Sequence, residues 1–262
     1  MIIDFHTHAF SEKIVEKAMS KLTATSGMKP YTDGTVNGLL EIMNNSGVDK
    51  SVVLPIATKP SQQRIVNSWA KEIMSDKIYA FGSVHPDAED ALEELDRIKE
   101  SGLYGVKLHP DYQDMYFDNI RYERIIDAAS ELGLITVVHA GVDPKCPEDV
   151  HCTPEMARKV LDDVKPEKLV LAHMGGNEMW DDVERYLVGQ NVYFDTGVIL
   201  NTMPQEQFLR IVHMHGADRI LFGTDSPWAD QKNFVALLEH MPLTEEEKAA
   251  IFSENAKKLL GI

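Results

Sequence analysis

Ile2-Ile3-Asp4-Phe5-His6-Thr7-His8 opens the chain, and the reading of this stretch decides the fold. A β-branched and aromatic apolar run this short suits a buried parallel strand better than a helix. It ends in two histidines, and side chains two apart on a strand point the same way. Seven more runs of this kind follow, at Lys50–Ile56, Ile78–Val84, Tyr104–His109, Leu134–His139, Leu169–His173, Val192–Asp195 and Ile220–Thr224. Between them lie amphipathic stretches, including Ser61–Ser75, Ala88–Ser101, Ile120–Leu132, Pro154–Val164, Met179–Val188 and Pro204–His215, with Leu, Ile, Met and Ala at helical spacing.

Strict alternation of strand and helix implies a parallel sheet, and eight units predict closure into a (β/α)8 TIM barrel, an α/β fold of one domain over residues 1–262. An open doubly wound sheet is the alternative, but no glycine-rich phosphate loop follows the first strand. Punctuation agrees with the barrel. Gly47, Gly102 and Gly133 each follow a helical run, and Thr153 precedes Pro154 as an N-cap before a first-turn proline. Ser11–Asp33 extends the first connection and contains a helical stretch, which predicts a cap over the barrel mouth. Thr244 with Glu247 three residues on predicts a capping box opening a terminal helix over Thr244–Leu260.

A formal charge of −16 and the absence of any basic run argue against nucleic acid or an anionic membrane as a partner. No apolar stretch is long enough for a membrane span, and the first residues lack a signal-peptide pattern. Cys146 and Cys152 share one polar loop and are not needed as a staple in a chain this large. A reducing, cytoplasmic location is expected.

Metal-ligand residue types collect at the C-terminal ends of the predicted strands, which in a barrel converge on the face that carries active sites. His6 and His8 can chelate one ion there. Strand four ends in Lys107-Leu108-His109-Pro110, strand five in His139, strand six in His173, strand seven in Asp195 and strand eight in Asp225. Neutral imidazoles with one carboxylate suit zinc and similar divalent metals. Lys107 could meet a substrate carboxylate, carry a carbamate bridging two ions, or pair with a buried acid such as Asp4. His109 reads as a substrate-side group. Asp195 could orient a ligand or cap the next segment. In the loops, Asp143 and Trp228 are candidates for substrate binding, and Trp180 for a pocket wall. Cys146, His151 and Cys152 could form an accessory metal site or a redox pair, although free structural thiols are the plainer reading. His85, His213, His215 and His240 are assigned no role.

The ordered set His-x-His, His, His and Asp on strands one, five, six and eight resembles the amidohydrolase superfamily over nearly the whole chain. It is most similar to the amidohydrolase-related branch that includes aminocarboxymuconate-semialdehyde decarboxylase-like enzymes. The resemblance implies that His6, His8, His139 and Asp225 bind a divalent metal, with zinc expected first, manganese second, and one ion rather than two. It implies an acid–base or orienting role for His173 beside Asp225. Two reactions share such a site: hydrolysis of an amide, lactone or ester by metal-activated water, and non-oxidative decarboxylation or hydration of a small carboxylic acid. The sequence reading places hydrolysis first. A small-molecule substrate and a possible homodimer complete the expectations, and a barrel that has lost catalysis is the outlier.

Overall fold

Eight parallel strands and the helices between them account for most of the computed structural model, which describes residues 1–262. The strands are β1 (Ile3–Thr7), β2 (Lys50–Val53), β3 (Ile78–Ala80), β4 (Gly105–Leu108), β5 (Ile135–Val138), β6 (Leu169–Leu171), β7 (Tyr193–Asp195) and β8 (Ile220–Leu221). β1 to β3 form one continuous ladder and β4 to β8 another, each in sequence order. Two seams join them. At the first, Gly82 N donates to Gly105 O at 2.8 Å and Lys107 N to Gly82 O at 2.8 Å. At the second, Phe5 N donates to Phe222 O and Asp225 N to His6 O, both at 2.7 Å. The sheet is therefore a closed barrel, and the open-sheet alternative is excluded.

The outer ring consists of α1 (Val15–Ser26), α2 (Val36–Ser46), α3 (Gln63–Glu72), α4 (Ala91–Glu100), α5 (Ile120–Glu131), α6 (Pro154–Val164), α7 (Trp180–Tyr186), α8 (Gln205–His215) and α9 (Gln231–Glu239). Thr153 caps α6 through its side chain, with Pro154 in the first turn. Phe10 N donates to Gly34 O, and Tyr31 N reaches Pro227 O at 2.8 Å. The extension carrying α1 thus folds back onto the segment after β8, at the mouth where a cap was expected.

The tail departs from the continuous helix expected over Thr244–Leu260. The capping box of Thr244 and Glu247 forms, but α10 (Glu245–Ala249) passes through a π-turn at Ala250–Glu254 before α11 (Asn255–Leu260). The cause is competition for a carbonyl: Ile251 O accepts from Phe222 N at 2.9 Å, beyond the end of β8, instead of serving only its own helix.

Inside the barrel, Ile3, Phe5, Val52, Phe81, Val137 and Val170 pack with Leu221, and Leu259 and Leu260 of α11 belong to the same cluster. Simple alternation from Ile3 and Phe5 would turn His6 and His8 outward. A bulge prevents it: Asp4 pairs with Ser51 and Thr7 with Val53, so three steps on β1 face two on β2. The extra residue re-aims the chain, and His6 joins Phe5 on the inner side.

Candidate metal centre

His6 Nδ1 lies 2.9 Å from Asp195 Oδ2, and His8 Nδ1 lies 2.8 Å from the carbonyl oxygen of Leu54. Each contact asks the Nδ1 to carry the proton and donate it. Nε2 of both rings is then a bare lone pair. These two Nε2 atoms stand 3.2 Å apart, and Asp225 Oδ1 lies 3.4 Å from the first and 3.0 Å from the second. Three electron-rich atoms face one another with no proton among them, and Asp225 Oδ1 is buried without a donor. Lys107 Nζ, 3.4 Å from His6 Nε2, offsets part of the repulsion among them, and a bound cation would offset the rest. Donors held ~2.1 Å from one ion stand about 3.0 to 3.4 Å apart, so the spacing fits a divalent metal as it is.

The electrostatics follow from burial and these contacts. Burial, then Lys107, lower the His6 pKa to about 4, against the opposing pull of Asp195 and Asp225. Burial alone would raise Asp225, but the neighbouring His6 and His8 outweigh it and bring it down to about 2. Asp195 is likewise held well below the carboxylate range by His6, with His173 and Lys107 assisting, despite its burial. At neutral pH His6 is thus a neutral imidazole and Asp195 and Asp225 are ionised carboxylates, the forms that coordinate metals.

Backbone strain accompanies these positions. Asp225 adopts φ 65° and His173 φ 59°, in the left-handed region that non-glycine residues rarely enter. Gly197 permits the crowding behind them. A Cβ there would stand 3.0 Å from His6 Nδ1 and 3.2 Å from His173 Nδ1. Its carbonyl accepts from His173 Nδ1 at 3.0 Å, and Asp195 Oδ1 accepts from the His173 amide at 3.0 Å. Nothing in the sequence singled out Gly197, because its role is carried by backbone and by the absence of a side chain.

His139 lies one ring further on. Its Nδ1 meets His173 Nε2 at 3.0 Å, while its Nε2 is buried without a hydrogen-bond partner. His109 stacks on it, with centroids 4.1 Å apart and planes 6° apart, and Asp143 Oδ2 stands 3.6 Å from His109 Nε2 and 3.7 Å from His139 Nε2. A single ion cannot lie in the planes of two stacked rings, so His109, His139 and Asp143 form no chelate in this arrangement. Burial pushes both imidazoles well below the usual histidine range, with neighbouring positive groups reinforcing it. Asp143 moves the other way, raised by burial to about 6.

Lys107 is 1% exposed on the inner face of β4, and its Nζ lies 3.4 Å from His6 Nε2. It does not pair with Asp4, whose carboxylate is taken by Thr224 and Gln231. Burial lowers its pKa to about 8, partly offset by Asp195, Asp225 and Asp143. Trp180 Nε1 donates to His173 O at 3.2 Å, which ties it to the backbone of the site. Trp228 is half-buried in the turn after Asp225, whose carbonyl its amide reaches at 2.9 Å. His213 and His215 lie on α8, and His215 bonds Val192 O, away from the mouth.

The chain matches the family model for Amidohydrolase (Amidohydro_2) over residues 3–262. It belongs to the amidohydrolase family. No curated protein matches it in sequence. Among solved structures it is similar to 2,6-dihydroxybenzoate decarboxylase in complex with 2,6-dihydroxybenzoate, at 17% identity and TM-score 0.77, covering 100% of this chain and 99% of the other. It is also similar to 5-carboxyvanillate decarboxylase from Sphingomonas paucimobilis, at 16% identity and TM-score 0.74, with 100% and 99% covered. A third is a dihydroxybenzoic acid decarboxylase from Polaromonas sp. with bound manganese and 2-nitroresorcinol, at 16% identity and TM-score 0.73, with 99% and 96% covered. These likenesses show the barrel fold. No helix is long and apolar enough to cross a membrane.

Proposed function

We propose that this amidohydrolase-family chain is a metal-dependent carboxy-lyase that decarboxylates a small carboxylic acid without an oxidant. The observation that carries the reading is Lys107, a wholly buried amine beside the metal donors with no carboxylate paired to it. A substrate carboxylate is the partner it lacks. This reverses the order of the sequence reading, which put hydrolysis first, and the decarboxylases among the structural neighbours favour the reversal.

His6, His8 and Asp225 are proposed as ligands, with His139 as the fourth by the family resemblance, its buried Nε2 making no hydrogen bond. When bound, the ion supplies a Lewis acid that fixes the substrate's oxygen atoms. The neighbour solved with manganese makes that ion the first to test, ahead of zinc. Asp195 orients His6. Lys107 orients the departing carboxylate. As the carbon–carboxylate bond breaks and CO2 leaves, the electron pair left on carbon takes a proton; we assign its delivery to His173 once solvent has protonated its Nε2 and freed it from His139 Nδ1. His109, Asp143 and Trp228 form the substrate side of the mouth.

Hydrolysis keeps one specific argument. Asp225 is ionised at neutral pH and its Oδ1 has no donor, which suits a base for a water proton. The two readings separate in one experiment. Metal-stripped protein is reloaded with manganese or zinc and offered 2,6-dihydroxybenzoate, 5-carboxyvanillate and other small carboxylic acids, beside a panel of amides, esters and lactones. Metal-dependent CO2 release supports the proposal. Turnover confined to the hydrolysable panel overturns it.

A further inference from the structure

Asp111, Cys146 and His151 form a second cluster that the proposed reaction does not use. Asp111 follows β4, while Cys146 and His151 lie in the long loop after β5. One ligand-type atom from each lies within 4.8 Å of the others. Asp111 is 0% exposed, and its Oδ1 accepts from His151 Nδ1 at 3.1 Å. Its Oδ2 is buried without a hydrogen bond, the nearest donor-type atoms being His109 Nδ1 and His139 Nε2, each 3.9 Å away. Lys145 is adjacent but does not quench the carboxylate, since its Nζ goes to Asp114 Oδ1 and to the Asp111 carbonyl. His151 is 8% exposed, with Tyr116 stacked on its ring at 4.8 Å. Cys146 is a free, half-buried thiol. A wholly buried carboxylate with a bare oxygen, beside an imidazole and a thiol, lacks a positive charge.

We infer that Asp111, Cys146 and His151 bind a second divalent cation, of the thiophilic zinc or cobalt class, independently of the ion held by His6, His8 and Asp225. One carboxylate, one imidazole and one sulfur suit zinc or cobalt better than manganese, because the thiolate is soft. On binding, the Cys146 S–H bond breaks, the sulfur–metal bond forms and the proton passes to water, with no change of oxidation state. The ion ties the loop after β4 to the loop after β5. These are the segments that carry His109 and Asp143, so occupancy of this site stiffens the substrate side of the mouth.

Cobalt(II) titration of the metal-stripped full chain is the test, because a thiolate ligand gives a sulfur-to-cobalt charge-transfer absorption that a His/Asp site does not. The expected result is two cobalt ions per chain, with that absorption present. Cys146→Ser and His151→Ala each reduce the stoichiometry to one ion and remove the absorption, with the circular dichroism spectrum unchanged. His8→Ala removes the other ion and leaves the absorption intact, so failure at one site is distinguishable from failure at the other. Absence of the charge-transfer absorption at saturating cobalt overturns the inference. Its persistence in Cys146→Ser does so equally, since the sulfur would then be Cys152.

Discussion

Asp195 and His6 are joined by a 2.9 Å contact between two side chains that are 0% and 1% exposed, at the ends of strands on opposite sides of the closing seam. The pair fixes which nitrogen of His6 holds the proton, and so aims the other at the proposed metal position. Asp195→Asn keeps the shape but removes the charge that makes Nδ1 the donor. Metal affinity should fall roughly 10- to 100-fold, the range typical for loss of a carboxylate behind a ligating histidine. A competition titration with a chromogenic chelator measures it, and unchanged affinity would remove His6 from the ligand set.

Gly197→Ala tests the same pair by crowding rather than by charge. The added methyl would meet His6 Nδ1 at 3.0 Å and Asp195 Oδ1 at 3.1 Å, so both must shift by a few tenths of an ångström. Weaker metal binding with a stability loss on the order of 1 kcal/mol is the expected outcome. Metal titration and thermal melts of the apo protein should therefore respond unequally. A large loss of melting temperature with intact affinity would assign Gly197 to folding alone.

Lys107→Met replaces a buried amine by an apolar chain of similar length. Its pKa of about 8 shows that the barrel interior disfavours the charge, so the variant should melt at a higher temperature than the parent. Substrate binding should move the opposite way. Loss of a charge-assisted contact worth about 1.5–3 kcal/mol raises KM on the order of tenfold or more. A variant that is less stable, or that keeps its KM, would show that Lys107 serves the fold rather than the substrate.

His215 supplies a pH prediction that is independent of any metal. Its Nδ1 accepts from the Gly189 amide at 3.1 Å and its Nε2 faces Val192 O at 2.8 Å, so only the neutral ring satisfies both. Burial is the main reason that its pKa drops from 6.5 to about 4 in the folded chain. Between those two values the unfolded chain binds the proton and the folded one does not. Stability is therefore full above pH 6.5 and declines as pH falls toward 4, by up to about 3 kcal/mol. Urea melts of the apo protein at pH 7 and pH 4.5 measure the decline, and His215→Gln should flatten it. An equal slope in the variant would place the acid sensitivity elsewhere.

The barrel was legible in the sequence because it rests on periodicity, and strand-end convergence follows from topology alone. That is why residues as remote as His6 and Asp225 could be paired in advance. Other features depend on side-chain geometry that no spacing encodes. Strict alternation would have set His6 and His8 opposite Phe5, and only the bulge on β1 puts them inside with it. The turning of His139 toward His173 is a matter of rotamer and packing. Asp111 drew no reading from the sequence, since its burial arises from contact with a loop 40 positions away. The helix α9 also escaped the sequence reading, although Asp230 caps it.

The seam between β1 and β8 brings Thr224 to Asp4 across 220 positions of chain. A ribosome makes His6 and His8 more than 200 residues before Asp225, so the three proposed donors cannot meet until the segment between them has emerged. Until then the nascent chain displays two histidines, one residue apart, without their carboxylate, and it should hold a metal weakly or not at all. Contacts of such long range also predict slow folding.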